Sequence, residues 1–292
     1  MLSKIWPVIL ATAVAPVLWG TTYFTSTAFL IEGHPLLTAT LRALPAGLVL
    51  LCIGRQLPSG AWWWKSAVLG LLNIGAFFAF LFIAAERLPG GVAAVVGGIQ
   101  PLLIAVLASR VLSERLTGRV IVAGVGGFVG VALIVLRAQA GLDPIGIAAA
   151  VLGAVSMAGG VVLAKKWLDG HSPIATTSWQ LIAGGLLLAV LTAIFEPLPA
   201  HAPSLGNIAG YAYLTLFGTA LAYLLWFRGL KLLPTRIPAF LGLLSPIVAL
   251  TIGALAAHGT LTWMQGVGVV LVFSSVVAVI VRPATARAHR TA

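Results

Sequence analysis

Apolar residues run along this chain in blocks of about twenty, separated by short polar breaks. The breaks are dense in Gly, Pro and charge, as in EGHP at 32–35, RQLPSG at 55–60 and EPLPAHAPSLGN at 196–207. A helix needs roughly 20 mainly apolar residues to cross the hydrocarbon of a bilayer. Cutting at charges and turn residues predicts ten such helices, over 7–28, 36–54, 64–84, 90–111, 118–136, 143–164, 174–195, 206–227, 235–257 and 261–281. No connection is long enough to fold as a soluble domain. The predicted class is an all-α integral membrane protein with ten transmembrane helices.

The blocks also repeat. At an offset of 145 residues, Leu88-Pro89 falls on Leu233-Pro234, Ala94 on Ala239, Gly97 on Gly242, Pro101 on Pro246, and Leu116-Thr117 on Leu261-Thr262. At an offset of 138, LRALPAGLVLL (41–51) overlays WQLIAGGLLLA (179–189), pairing Gly47 with Gly185. Residue identity is low, but glycines and prolines keep register. This divides the chain into an N-terminal five-helix repeat, 1–137, and a C-terminal one, 138–292. An odd number of crossings inverts the second repeat relative to the first. Such repeats are a recurring device of secondary transporters, with the substrate site near the midplane between them.

Composition agrees with the pattern. Of 292 residues, 60% are hydrophobic and 8% charged, with a mean hydropathy of +1.10; a soluble protein is nearer a quarter charged. The single cysteine, Cys52, excludes an internal disulfide and a Cys-rich metal site. No cleavable signal stands out, because the first apolar run follows Lys4 and continues as a full span. The net charge of +11 points to membrane topology rather than nucleic acid. With ten spans, fourteen Lys and Arg residues fall on the side of the termini and two, Arg87 and Arg137, on the other. The positive-inside rule then puts both termini in the cytoplasm. The expected location is a bacterial-type inner membrane.

Few residues can carry chemistry. No G-x-x-x-x-G-K-[ST] loop is present, so the chain is not expected to hydrolyse ATP. No H-E-x-x-H, C-x-x-C or G-x-S-x-G occurs, so neither an enzyme, a metal site nor a cofactor is expected. The six acidic residues, Glu32, Glu86, Glu114, Asp143, Asp169 and Glu196, all sit at or near span ends. Proton-coupled pumps place a carboxylate mid-membrane, which argues here for a facilitator or a carrier driven by its substrate gradient. Arg42 is the one charge well inside a span. Two readings stand: a contact to a substrate anion, or a structural tie to backbone carbonyls or Glu32. At the 138 offset its counterpart is the neutral Gln180.

The remaining candidates are aromatic and polar groups deep in the spans. Trp19, Tyr23, Phe77, Trp179 and Tyr223 are candidate apolar lining residues, and Asn73, Gln100, Ser156 and Ser245 candidate hydrogen-bonding ones. An apolar cavity with a few polar groups is the usual form of a small-molecule site. Small residues at 156–160 (SMAGG) and Gly126–Gly130 mark close helix approaches. The runs GGIQP and GLLSP carry the four candidate hinge residues, Gly97, Pro101, Gly242 and Pro246. Proline frees the carbonyl four residues back and kinks a helix, and glycine at the same turn allows the bend.

These features together resemble the drug/metabolite transporter superfamily, in its ten-span EamA-type branch. The resemblance rests on the five-plus-five repeat, APVLWGTTYF at 15–24, the run from Pro101 to Glu114 and Leu116-Thr117, and the glycine-rich GVGGFVG at 124–130. Within that branch the chain is most similar to YddG-type exporters of aromatic and other neutral amino acids. The resemblance implies an exporter working by alternating access without ATP, with no obligate protein partner. The alternatives are a broad-specificity drug/metabolite efflux carrier and a passive pore. The family's glutamate is present at Glu114 and absent at Gly259. Glu114 is therefore expected to be structural, paired with a nearby Arg.

Overall fold

The computed structural model describes residues 2–88, 95–135, 143–167, 170–256 and 261–281, without the side chains of Leu2, Ser3, Lys4, Tyr23, Phe82, Ala85 and Glu86. Among the described residues the regular structure is helical throughout. A bilayer offers no water to backbone amides, so a spanning segment must close its hydrogen bonds within itself.

The first half contains α1 (Leu2–Gly20), α2 (Thr22–Phe29), α3 (Pro35–Gly54), α4 (Trp62–Gly70), α5 (Ala76–Arg87), α6 (Gln100–Val111) and α7 (Gly118–Val135). The second contains α8 (Pro144–Trp167), α9 (Pro173–Phe195), α10 (Leu205–Thr215), α11 (Ala222–Leu232), α12 (Arg236–Leu241), α13 (Leu244–Ala256) and α14 (Trp263–Ile280). Two π-helical turns join helices end to end: Leu71–Gly75 between α4 and α5, and Leu216–Leu221 between α10 and α11. Among the described residues, eight helical stretches are long and apolar enough to cross a membrane; Ile5–Gly20 and Val95–Val111 are apolar but shorter.

Helix starts follow their caps. Asp143 Oδ1 accepts from Ile145 and Gly146 N–H at 2.7 and 3.2 Å, ahead of Pro144 at the first helical position. Ser204 with Asn207, and Thr262 with Gln265, form capping boxes. The start of α3 is capped from a distance: Glu196 accepts from Leu36 and Leu37 N–H at 2.5 and 2.8 Å. The predicted first span, 7–28, is interrupted. Helix α1 ends at Gly20, and Thr21 donates its hydroxyl to the Leu18 carbonyl at 2.7 Å, a local bond that competes with helix continuation.

Equivalent elements recur at the 145 offset. The π turn at Leu71–Gly75 falls on Leu216–Leu221, and α7 (Gly118–Val135) on α14 (Trp263–Ile280). Packing partners recur too. Helix α3 lies against α9 and α7 against α14, while α5 pairs with α8 and α1 with α11. Glycines set the closest crossings. A Cβ on Gly130 would stand 2.9 Å from the Gly268 carbonyl, and one on Gly268 would stand 2.6 Å from that of Gly130. Gly47 and Gly185 serve the α3–α9 crossing in the same way, against Ile182 and Leu44. Without side chains between them, the backbones meet and dispersion contacts replace the hydrophobic drive that lipid removes.

Candidate functional site

The two π turns organise the polar interior. A π turn carries one extra residue, which widens the helix and releases carbonyls from the i→i−4 ladder. Around the first, Ser156 Oγ of α8 donates to the Leu72 carbonyl at 2.8 Å, and Asn73 Nδ2 donates to Gln180 Oε1 of α9 at 2.9 Å. Gly160, one turn beyond Ser156, leaves room for Asn73; a Cβ there would lie 2.1 Å from Asn73 Oδ1. That oxygen is buried and unpartnered among the described residues.

Around the second π turn, Arg42 of α3 donates from Nε to Thr219 Oγ1 at 3.0 Å and from Nη2 to the Gly218 carbonyl at 3.1 Å. Its guanidinium carbon lies 5.1 Å from the centroid of the Phe78 ring, a cation–π geometry, and only 7% of the residue is exposed. Glu32 is not a hydrogen-bond partner of Arg42. The structure thus supplies the carbonyl tie and leaves the charge without a carboxylate; among the described residues the one ion pair is Arg87–Asp143 at 3.4 Å.

Beside this turn the aromatics gather. Trp19 of α1 packs on Tyr223 and Trp226 of α11, with ring centroids 5.2 and 5.0 Å apart. Tyr223 continues to Phe227 at 5.9 Å, and Phe77 neighbours Phe78 at 5.5 Å. The indole N–H groups of Trp19 and Trp226 are both buried without a partner among the described residues.

Gln100 and Ser245 sit at the two helix breaks. Before Gln100, Gly98 N–H bonds the Val95 carbonyl and Ile99 that of Val96; in the second half Leu243 bonds Phe240 and Ser245 N–H bonds Gly242. Gly97 and Gly242 lie at these breaks, one turn ahead of Pro101 and Pro246. Gly20 presses close to the second break: its Cβ would stand 2.7 Å from the Ser245 carbonyl. Two candidates fall elsewhere. Trp179 donates its indole N–H to the Gln56 carbonyl at 2.7 Å and packs on Trp62 and His171, at the helix end away from this cluster. The side chain of Tyr23 lies outside the described residues. The partner of Glu114 is Thr235 rather than an Arg: its Oε1 accepts from the Thr235 N–H at 2.9 Å and hydroxyl at 2.7 Å.

Comparison with known proteins decides the class. The EamA-like transporter family matches residues 6–136 and 144–281. The chain belongs to this family. The EamA-like chain is 46% identical over 267 residues to protein PecM of Dickeya dadantii, covering 91% of this chain and 89% of that protein. It is 27% identical to the uncharacterised transporter YvbV of Bacillus subtilis (89% and 87% covered) and 25% identical to the uncharacterised inner membrane transporter YedA of Escherichia coli (89% and 86%). A crystal structure superposes with a TM-score of 0.82 over 94% of this chain and 96% of its own, at 20% identity, so its likeness is one of fold. The EamA-like chain is thus a multi-pass membrane protein of a transporter family.

Of the candidate lining residues, Trp19, Asn73, Phe77, Ser156 and Tyr223 fall around these two turns, and Trp226, from the same aromatic-rich span as Tyr223, joins them; the π turns themselves were not expected. A π turn leaves no mark in composition.

Proposed function

We propose that the chain is a secondary transporter of small amphipathic metabolites, exporting aromatic and other neutral amino acids by alternating access without ATP hydrolysis. In this reading it has ten transmembrane helices in two inverted repeats, 1–137 and 138–292, in a bacterial inner membrane with both termini cytoplasmic. One observation carries it: each π turn is gripped by a helix of the other repeat. Arg42 of α3 holds the turn at Leu216–Leu221, and Gln180 of α9 holds the turn at Leu71–Gly75. A centre built from crossed contacts of two like units can be opened to either side by rocking one unit against the other. Trp19, Phe77, Tyr223, Asn73, Ser156, Gln100 and Ser245 are the proposed lining residues, and Gly97, Pro101, Gly242 and Pro246 the hinges.

The test is counterflow in proteoliposomes holding the purified chain. Saturable uptake of radiolabelled phenylalanine or leucine, accelerated by unlabelled amino acid inside, is expected. Flux that rises linearly without saturation would establish a pore instead. Saturable flux of cationic dyes but not of amino acids would establish the broad-specificity efflux carrier.

A further inference from the structure

We infer that the transported solute carries an anionic group, a carboxylate, which binds Arg42 beside the Trp19–Tyr223–Trp226 cluster; this rests on the carrier reading above. The argument begins with a comparison inside the chain. Gln180 and Arg42 are counterparts at the 138 offset, and each ties its helix to a π turn of the other half. Gln180 does so with a neutral amide. A mechanical tie therefore needs no charge, and a charge in hydrocarbon is costly. The guanidinium at Arg42 calls for another reason.

Its surroundings give one. Nε and one Nη2 hydrogen are used by Thr219 and Gly218. Among the described residues no acceptor of the chain meets Nη1 and no carboxylate faces the group. Tyr223 follows Thr219, the partner of Arg42 Nε, by four residues of continuous helix and packs on Trp19. The indole nitrogens of Trp19 and Trp226 are buried and unpartnered, and an indole N–H can only donate. The unused polar capacity of Arg42 and of these two indoles is all donor, beside aromatic faces that suit an apolar side chain. The complementary solute is an amphipath with acceptor oxygens bearing negative charge. A guanidinium holds a carboxylate by two parallel hydrogen bonds, which a carboxamide cannot match.

The experiment uses matched acid and amide pairs on the full chain: phenylalanine with phenylalaninamide, leucine with leucinamide, and phenylacetate with phenylacetamide. In proteoliposomes each accepted acid should exceed its amide by at least roughly tenfold in kcat/KM. Arg42→Gln should bring the acid-to-amide ratio in kcat/KM down to about one, whatever it does to the overall rate. Arg42→Lys should restore part of the preference, and Trp226→Phe should lower acid flux selectively. If acid and amide move equally well, or if Arg42→Gln lowers both alike, the carrier reading stands and this inference falls. If none of these solutes shows saturable flux, the amino-acid carrier reading falls. Thermal stabilisation of the detergent-solubilised chain by the same pairs then decides separately. Stabilisation by an acid but not its amide, lost in Arg42→Gln and kept in Arg42→Lys, sustains the carboxylate contact; no acid-selective stabilisation overturns it.

Discussion

Substituting Gly160 by Ala tests the contact on which the first π turn depends. The added methyl would lie 2.1 Å from Asn73 Oδ1 and 2.6 Å from its Cγ, far inside van der Waals distance. Asn73 is fully buried, so it can yield only by turning its amide away. If it stays, the overpacking costs about 1–3 kcal/mol. If it turns, the 2.9 Å bond to Gln180 is lost and a buried amide oxygen is orphaned, again about 1–3 kcal/mol. Replacing Gly by Ala in a helix returns up to about 1 kcal/mol, so either route gives a net destabilisation of roughly 1 kcal/mol. Reversible unfolding in mixed micelles, titrated with SDS, measures it. The decisive comparison is a double-mutant cycle with Asn73→Ala, which removes the colliding amide. In that background only the helix-propensity gain of up to about 1 kcal/mol remains, giving a coupling of roughly 2 kcal/mol. Equal cost in both backgrounds would refute the account, as would a cost below about 0.5 kcal/mol in the parent.

Three further outcomes are expected. Pro101→Ala and Pro246→Ala should each slow counterflow severalfold with little change in unfolding midpoint; parental transport in both would remove the hinge assignment. Asp143 is held below its ordinary carboxylate value of 3.8, first by the Gly146 and Ile145 N–H groups and then by Arg87. A depressed carboxylate contributes stability above its unfolded pKa and loses it as pH falls through the folded one. The Asp143 contribution to the unfolding midpoint should therefore be constant between about pH 5 and 8 and be lost only as pH falls below 3.8, a fall absent in Asp143→Asn. Glu196→Ala leaves the Leu36 and Leu37 N–H groups of α3 uncapped and should cost about 1–2 kcal/mol, most of it recovered in Glu196→Asp only if the shorter side chain still reaches both donors.

Helix positions were legible because the chain is punctuated by residues with local physical effects. The expected span at 118–136 appears as Gly118–Val135, and the one at 174–195 as Pro173–Phe195, where Ser172 caps and Pro173 starts the helix. The paired glycines Gly47 and Gly185, matched from sequence alone, meet at one crossing. What stayed hidden was direction. In lipid both faces of a helix are apolar, so periodicity does not say which side of α9 turns inward. Trp179 therefore read as a lining residue although its indole bonds the Gln56 carbonyl at the helix end. The π turns were invisible for a related reason: an inserted residue shifts the helical phase without changing composition. The partner of Arg42 could not be read either, because the Gly218 carbonyl belongs to the backbone and has no side-chain signature.

The unequal pair Arg42 and Gln180 has a consequence for why the two halves are one polypeptide. In an assembly of two identical subunits, whatever stands at position 42 must also stand at its mate. Two buried arginines would then stand at the mated positions, each needing a counter-charge, or two neutral amides would leave no charge at all. Joining the halves in one gene lets the mates diverge. One keeps a positive charge at Arg42 and the other a neutral amide at Gln180, so the two π turns are held by unlike groups.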